Sequence, residues 1–286
     1  MTLEIIKSVL IMVGSFLAHP LLYIGLLVLF LLAGRRVKIE RESFHTRVYG
    51  IMADYIVPFW PAVIAGLLVS IITLAFGIVV TLPVLILFCA VYLLFVLTTQ
   101  VRWMSPSYAL GFAIIILAMG PLIQDAGSIA DFYTEVSAVP LAYIAALLAL
   151  LVIAEGFLIR RKGHLHTSPR IEKSKRGKWI GLHQAKRLWI LPVVLLIPEG
   201  VVPTFDFWPV LSLGEMSVQP LILPFFIGYQ QTIRTSLPHI RTQAMGMRVL
   251  LLGIVLLLTA VGSYFYPFLA VVVAVVAILG RELLCY

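Results

Sequence analysis

Charge is scarce in this 286-residue sequence: 12% of its residues are Asp, Glu, Lys or Arg, while 62% are hydrophobic. About a quarter of a soluble domain is charged. With a mean hydropathy of +1.07, the deficit excludes a soluble globular domain and leaves most of the surface to face hydrocarbon. Cysteine is nearly absent as well. Cys89 lies in an apolar run, Cys285 is penultimate, and no CxxC or Cys/His spacing exists, which excludes a disulfide framework and a cysteine-based zinc site. HExxH, GxSxG and P-loop motifs are missing, so an intramembrane metalloprotease, a serine hydrolase and an ATPase of the usual kinds are excluded. No enzyme activity and no cofactor are expected. No cleavable signal is expected either, because the first apolar run carries His19 and Pro20 and no small-residue cleavage site.

The charge that is present is unevenly placed. The net charge is +8 and the pI near 9.6, but the cations sit in a few connections between apolar runs. That is the positive-inside pattern and not a nucleic-acid footprint. Arg160–Arg187 alone holds ten of the 21 Lys and Arg residues, with Glu172 its only acid. A bilayer does not easily translocate such a stretch, so it marks the cytoplasmic side.

Threading the chain from that stretch predicts an all-α, polytopic transmembrane helical bundle. It has nine crossings, or eight plus a re-entrant N-terminal piece, with some helices broken. Residues 1–286 form a single transmembrane domain. The expected spans are 12–33, 60–80, 84–99, 108–123, 140–158, 189–204, 219–229, 249–264 and 267–279. Residues 35–57 carry Phe44, Val48, Ile51, Met52 and Tyr55 at helical spacing and read as an amphipathic helix at the cytoplasmic interface. Residues 160–187 read as a basic cytoplasmic loop. With this threading 20 of the 21 cations fall inside, Lys7 being the exception, and the C-terminus is cytoplasmic. The surface expected to meet anionic lipid and cytosolic partners comprises Arg41, Arg47, Arg160, Arg161, Lys162, Lys173, Lys175, Arg176, Lys178, Lys186 and Arg187.

Ionisable groups inside apolar runs are the default functional candidates. Glu155 is expected to pair with Arg160 or Arg187. Glu199 lies in Ile-Pro-Glu-Gly-Val-Val-Pro, which cannot be an unbroken helix, and reads as a carboxylate capping a broken one. The alternative is a small-solute secondary transporter with a site near Glu199, because discontinuous helices often line midplane sites. His19 reads as a packing histidine. His164 and His166 lack a third ligand, so no metal is expected.

Several stretches resemble one family. They are Gly34-Arg35-Arg36-Val37-Lys38 through Arg47, Arg102-Trp103-Met104-Ser105-Pro106, His166-Thr167-Ser168-Pro169, Lys173–Pro192, Phe205-Asp206-Phe207-Trp208-Pro209 and Gly228–Arg234. Together, in order, they resemble the membrane module of MinJ-type determinants of division-site selection. The resemblance implies a non-enzymatic scaffold in a bacterial cell membrane, at poles and septa. It would bridge a polar coiled-coil protein and the MinD-type ATPase of the division-inhibitor system. It also implies a cytoplasmic PDZ domain, expected after residue 286. Self-association into a homo-oligomer is left open.

Overall fold

The computed structural model describes residues 2–120, 139–173, 177–202 and 217–285. Among them are eight α-helices and a three-stranded sheet. The helices are α1 (Thr2–Ala18), α2 (Pro20–Phe44), α3 (Ala53–Phe76), α4 (Leu82–Leu97), α5 (Pro106–Ala118), α6 (Leu141–Lys162), α7 (Pro238–Ser263) and α8 (Phe268–Cys285). The strands are β1 (Ser168–Lys173), β2 (Trp179–Val202) and β3 (Val218–Ile233), antiparallel in the order β1-β2-β3. Among the described residues five helices, α2, α3, α6, α7 and α8, are long and apolar enough to cross a membrane.

The all-α bundle of eight or nine spans is therefore wrong. Of the segments 189–204 and 219–229, expected as proline-broken helices, residues 189–202 belong to β2 and 219–229 to β3, while 203–204 lie outside the described residues; the basic loop 160–187 holds the end of α6, β1 and the start of β2. The amphipathic helix 35–57 is also not one element. Instead α2 runs on to Phe44, His45 adopts a left-handed conformation (φ 58°), and α3 begins at Ala53. Between α1 and α2, His19 takes an extended conformation and its Nδ1 accepts from the Leu21 amide at 3.3 Å. His19-Pro20 thus starts a new helix, with proline in the first turn where its missing N–H costs nothing.

The long hairpin β2–β3 is the unusual element, because strand edges exposed to lipid leave backbone groups unsatisfied. Here β1, α3 with the segment that follows it, and α4 meet these edges. On β2, the edge opposite β3 is paired with β1 at its start. Further along, Ser70 Oγ of α3 accepts from the Val194 amide at 2.8 Å and Thr73 Oγ1 donates to the Val194 carbonyl at 2.7 Å. The Leu196 amide then donates to Ile78 O, and Leu196 O accepts from the Val80 amide. On β3, Tyr92 of α4 donates to the Phe226 carbonyl at 3.3 Å. Gly66 of α3 lets Pro192 approach its backbone more closely than any Cβ would allow.

All four hairpin prolines fit these edges. Backbone groups of alternate strand residues point the same way, so Pro192 and Pro198 share the outward direction of Val194 and Leu196. By the register Pro192↔Pro224, Pro220 and Pro224 point outward from β3, as Phe226 does. Proline is tolerated where no ladder donor is needed. Trp189, Leu191, Val193 and Leu195 alternate into the core beside Phe225, Ile227 and Tyr229. From Arg187 to Leu196 the strand rises about 30 Å, the thickness of a bilayer's hydrocarbon core. Alongside it, α3 rises about 33 Å from Asp54 to Phe76.

Candidate functional site: the basic face

Four pieces of chain meet where α2 ends: the α2–α3 connection, the start of α3, β1, and the polar half of β2. Arg36 bonds Glu40 at 2.8 Å and Asp54 at 2.9 Å, and also donates to the carbonyls of Tyr49 and Gly50. Arg187 bonds the other oxygen of Asp54 at 3.2 Å and donates to the Leu165 carbonyl. Glu40, fully buried, also accepts from Ser168 Oγ at 2.8 Å and from the Val48 amide at 2.9 Å. Buried ions persist when each is paired and its remaining hydrogen-bonding capacity is filled. Asp54 and Glu40 are so engaged that they hold this junction together.

His166 stands beside this network, its ring edge-on to Tyr49 at 4.5 Å. Burial first, then the cations Arg187 and Arg36, push its pKa below the ordinary value, and Asp54 offsets part of that. His164, edge-on to His239 at 5.0 Å, is lowered by burial, His239 and Lys162.

The expected surface residues separate into groups. Arg187 is buried and structural, as above. Arg41, Arg47, Arg160, Arg161 and Lys162 are exposed. Arg161 lies over the Phe157 ring and Lys173 over the Trp179 ring. Arg160 donates to the Met247 sulfur, and Lys178 is exposed. Lys186 is half-buried and lines a cavity of about 110 Å³ with Arg35, Arg36, Arg170, Arg187 and Asp54. Lys175 and Arg176 lie outside the described residues.

Of the buried candidates, Glu155 pairs with neither Arg160 nor Arg187. Its partner is Arg281 of α8, at 2.7 Å and with both side chains 1% exposed or less; Ser105 donates to its second oxygen at 2.6 Å. No local pattern brings residues 155 and 281 together, so the sequence could not name the pair. Beside it Glu282 bonds Arg102 at 2.7 Å and accepts from Tyr108 at 2.6 Å. His19 Nε2 stands 3.8 Å from the Cys89 sulfur. Glu199 falls within β2, and its side chain lies outside the described ones. The broken helices that suggested a transporter are the β-hairpin.

These contacts gather the cationic stretches at one end of the molecule. There α2 ends, α3 begins, α6 ends against the start of α7, and α8 ends against the turn before α5. Among the described residues no three His, Cys, Asp or Glu side chains converge as metal ligands would. Fold and site together define a membrane-associated protein of apolar helices around an embedded β-hairpin, with a cationic pole.

The chain is 31% identical over 280 residues to the cell division topological determinant MinJ of Bacillus subtilis (strain 168), a match covering 98% of this chain and 69% of that protein. It belongs to the MinJ family of cell-division topological determinants. No family model matches it, and no solved structure is similar.

Proposed function

We propose that this protein is a non-enzymatic membrane scaffold in division-site selection. Its apolar helices and hairpin fix it in the bilayer with the cationic pole in the cytosol. The exposed residues Arg41, Arg47, Arg160, Arg161, Lys162, Lys173 and Lys178 present a docking face to cytosolic division proteins and a general attraction to anionic lipid. The partners the family resemblance implies are a MinD-type ATPase and a polar coiled-coil protein. The observation carrying this reading is a division of labour among the cations. One set is locked in buried ion pairs, and another stands exposed at the same pole. A PDZ domain following residue 286 would emerge from α8, whose last turns lie at that pole through Arg281 and Glu282.

The test is to image a tagged chain in dividing cells and to photo-crosslink from position 161 or 178. Enrichment at septa and poles, with Min-type partners captured, is the expected result. Even membrane fluorescence with no division protein captured would overturn the reading.

A further inference from the structure

The cavity containing Lys186 does not end at its polar wall. Leu29 of α2 and Leu188 of β2 also line a second, apolar groove of about 460 Å³ between α2, α3 and the hairpin. One face of β2 runs through both spaces. Gln184, Lys186 and Leu188 line the first, and Leu188, Ile190 and Pro192 the second. Over roughly 25 Å of strand the lining passes from cationic to wholly apolar.

We propose that cavity and groove together bind one anionic glycerophospholipid, its phosphate held by Arg35, Arg170 and Lys186 and an acyl chain lying along Leu188, Ile190 and Pro192. The charge balance selects a negative headgroup. Both acids at this junction are engaged, Asp54 by Arg36 and Arg187, Glu40 by Arg36, Ser168 and the Val48 amide. Arg35, Arg170 and Lys186 have no ion pair among the described residues. The charges that act on Lys186 are those of the cations Arg35 and Arg170. Arg170, whose nearby acids are Glu172 and Glu40, keeps a buried Nε with no hydrogen-bond partner among the described residues. An arginine and a lysine converging on one point suit a phosphate.

The level is also right. Arg35 follows directly on the apolar stretch Pro20–Gly34, where the hydrocarbon gives way to headgroups. The adjoining groove favours a lipid over a free phosphate, since a soluble anion would leave it empty. The site deepens the membrane-contact part of the proposed function, but it can be tested without any division partner.

Native mass spectrometry of the full, delipidated chain in detergent tests it, with phosphatidylglycerol and phosphatidylcholine of identical acyl chains as probes. One phosphatidylglycerol per chain should survive, retained about tenfold better than phosphatidylcholine, as a charge-assisted contact implies. R170Q/K186Q should abolish that preference. R241Q/R248Q, which removes equal charge from exposed positions on α7, should keep it. Val63→Phe, which fills the groove and leaves the cations alone, should weaken retention of both lipids. Equal retention of the two lipids by the unaltered chain would overturn the site. So would an equal loss in R241Q/R248Q, which means diffuse surface charge, or displacement of the lipid by equimolar glycerol 3-phosphate, which means a free-phosphate site. Retained lipid selectivity without septal enrichment in cells would remove the scaffold reading and leave this site standing.

Discussion

At the scale of single residues, two buried arrangements carry the largest expected effects. Among the described residues, Glu155 and Arg281 are compensated by each other, by Ser105 and by a contact from Arg281 to the Cys285 sulfur at 3.2 Å. Glu155→Gln should cost about 3–5 kcal/mol, because it strands a buried guanidinium. Replacing both partners with leucine should recover most of the loss, as thermal unfolding in detergent would show. Ser70→Ala with Thr73→Val leaves both polar groups of Val194 unpaired, at about 1–3 kcal/mol each; the same melting assay reads it. The sign for His166 and His164 follows from their lowered pKa values. Folding favours the neutral rings, so their contribution is complete above the ordinary histidine value near 6.5. It is lost as pH falls from there through the lower folded values, because the unfolded chain takes up protons first. Melting temperature should therefore drop on acidification below about pH 6.5. His166→Asn, which tolerates the left-handed backbone at that position (φ 47°), should shrink the drop.

At the scale of elements, the hairpin shows where sequence reading stopped and why. The even positions of β2, Leu188, Ile190, Val194 and Leu196, are as apolar as the odd ones that fill the core. No alternation was left to betray a strand, and a run apolar on both faces looks like a crossing helix. Prolines in such a run look like breaks in a helix. Their even spacing, 192 and 198, then 220 and 224, was the available signal, because proline repeated at even intervals suits one edge of a strand. Pro192→Ala should accordingly leave stability nearly unchanged. Val193→Pro, one residue along, removes a ladder donor and should cost about 3 kcal/mol or more, visible as lost β signal in the amide I infrared band. The helices α3, α4, α6, α7 and α8 were legible because length and hydropathy alone define them. The α2–α3 junction was not, since its turn is held by Glu40, Asp54 and Arg187, the last drawn from 133 residues beyond Asp54.

At the scale of the whole molecule, the expected sorting of charge has one structural counterpart, the gathering of the described cationic stretches at one pole. It depends on where the chain emerges and not on whether a helix or a strand carried it there. The cationic face could be named from composition, but the split into buried, ion-paired cations and exposed ones needed coordinates. After replacement of Cys89 and Cys285, cysteines placed at Arg161 and at Phe265, in the α7–α8 turn, should react with impermeant reagents from opposite sides of the membrane. Labelling of both from one side would invert or break the threading.

The covered edges of the hairpin also constrain biosynthesis. β2 cannot leave water before Ser70, Thr73 and Ile78–Val80 are there to meet it, nor β3 before Tyr92. All of these precede the hairpin in the chain, so a ribosome delivers the acceptor before the guest. A circular permutant starting at Pro238 would still emit α3 and α4 ahead of the strands and should insert. One starting at Leu141 would present the strands to a bilayer with nothing yet to receive them, and should be degraded.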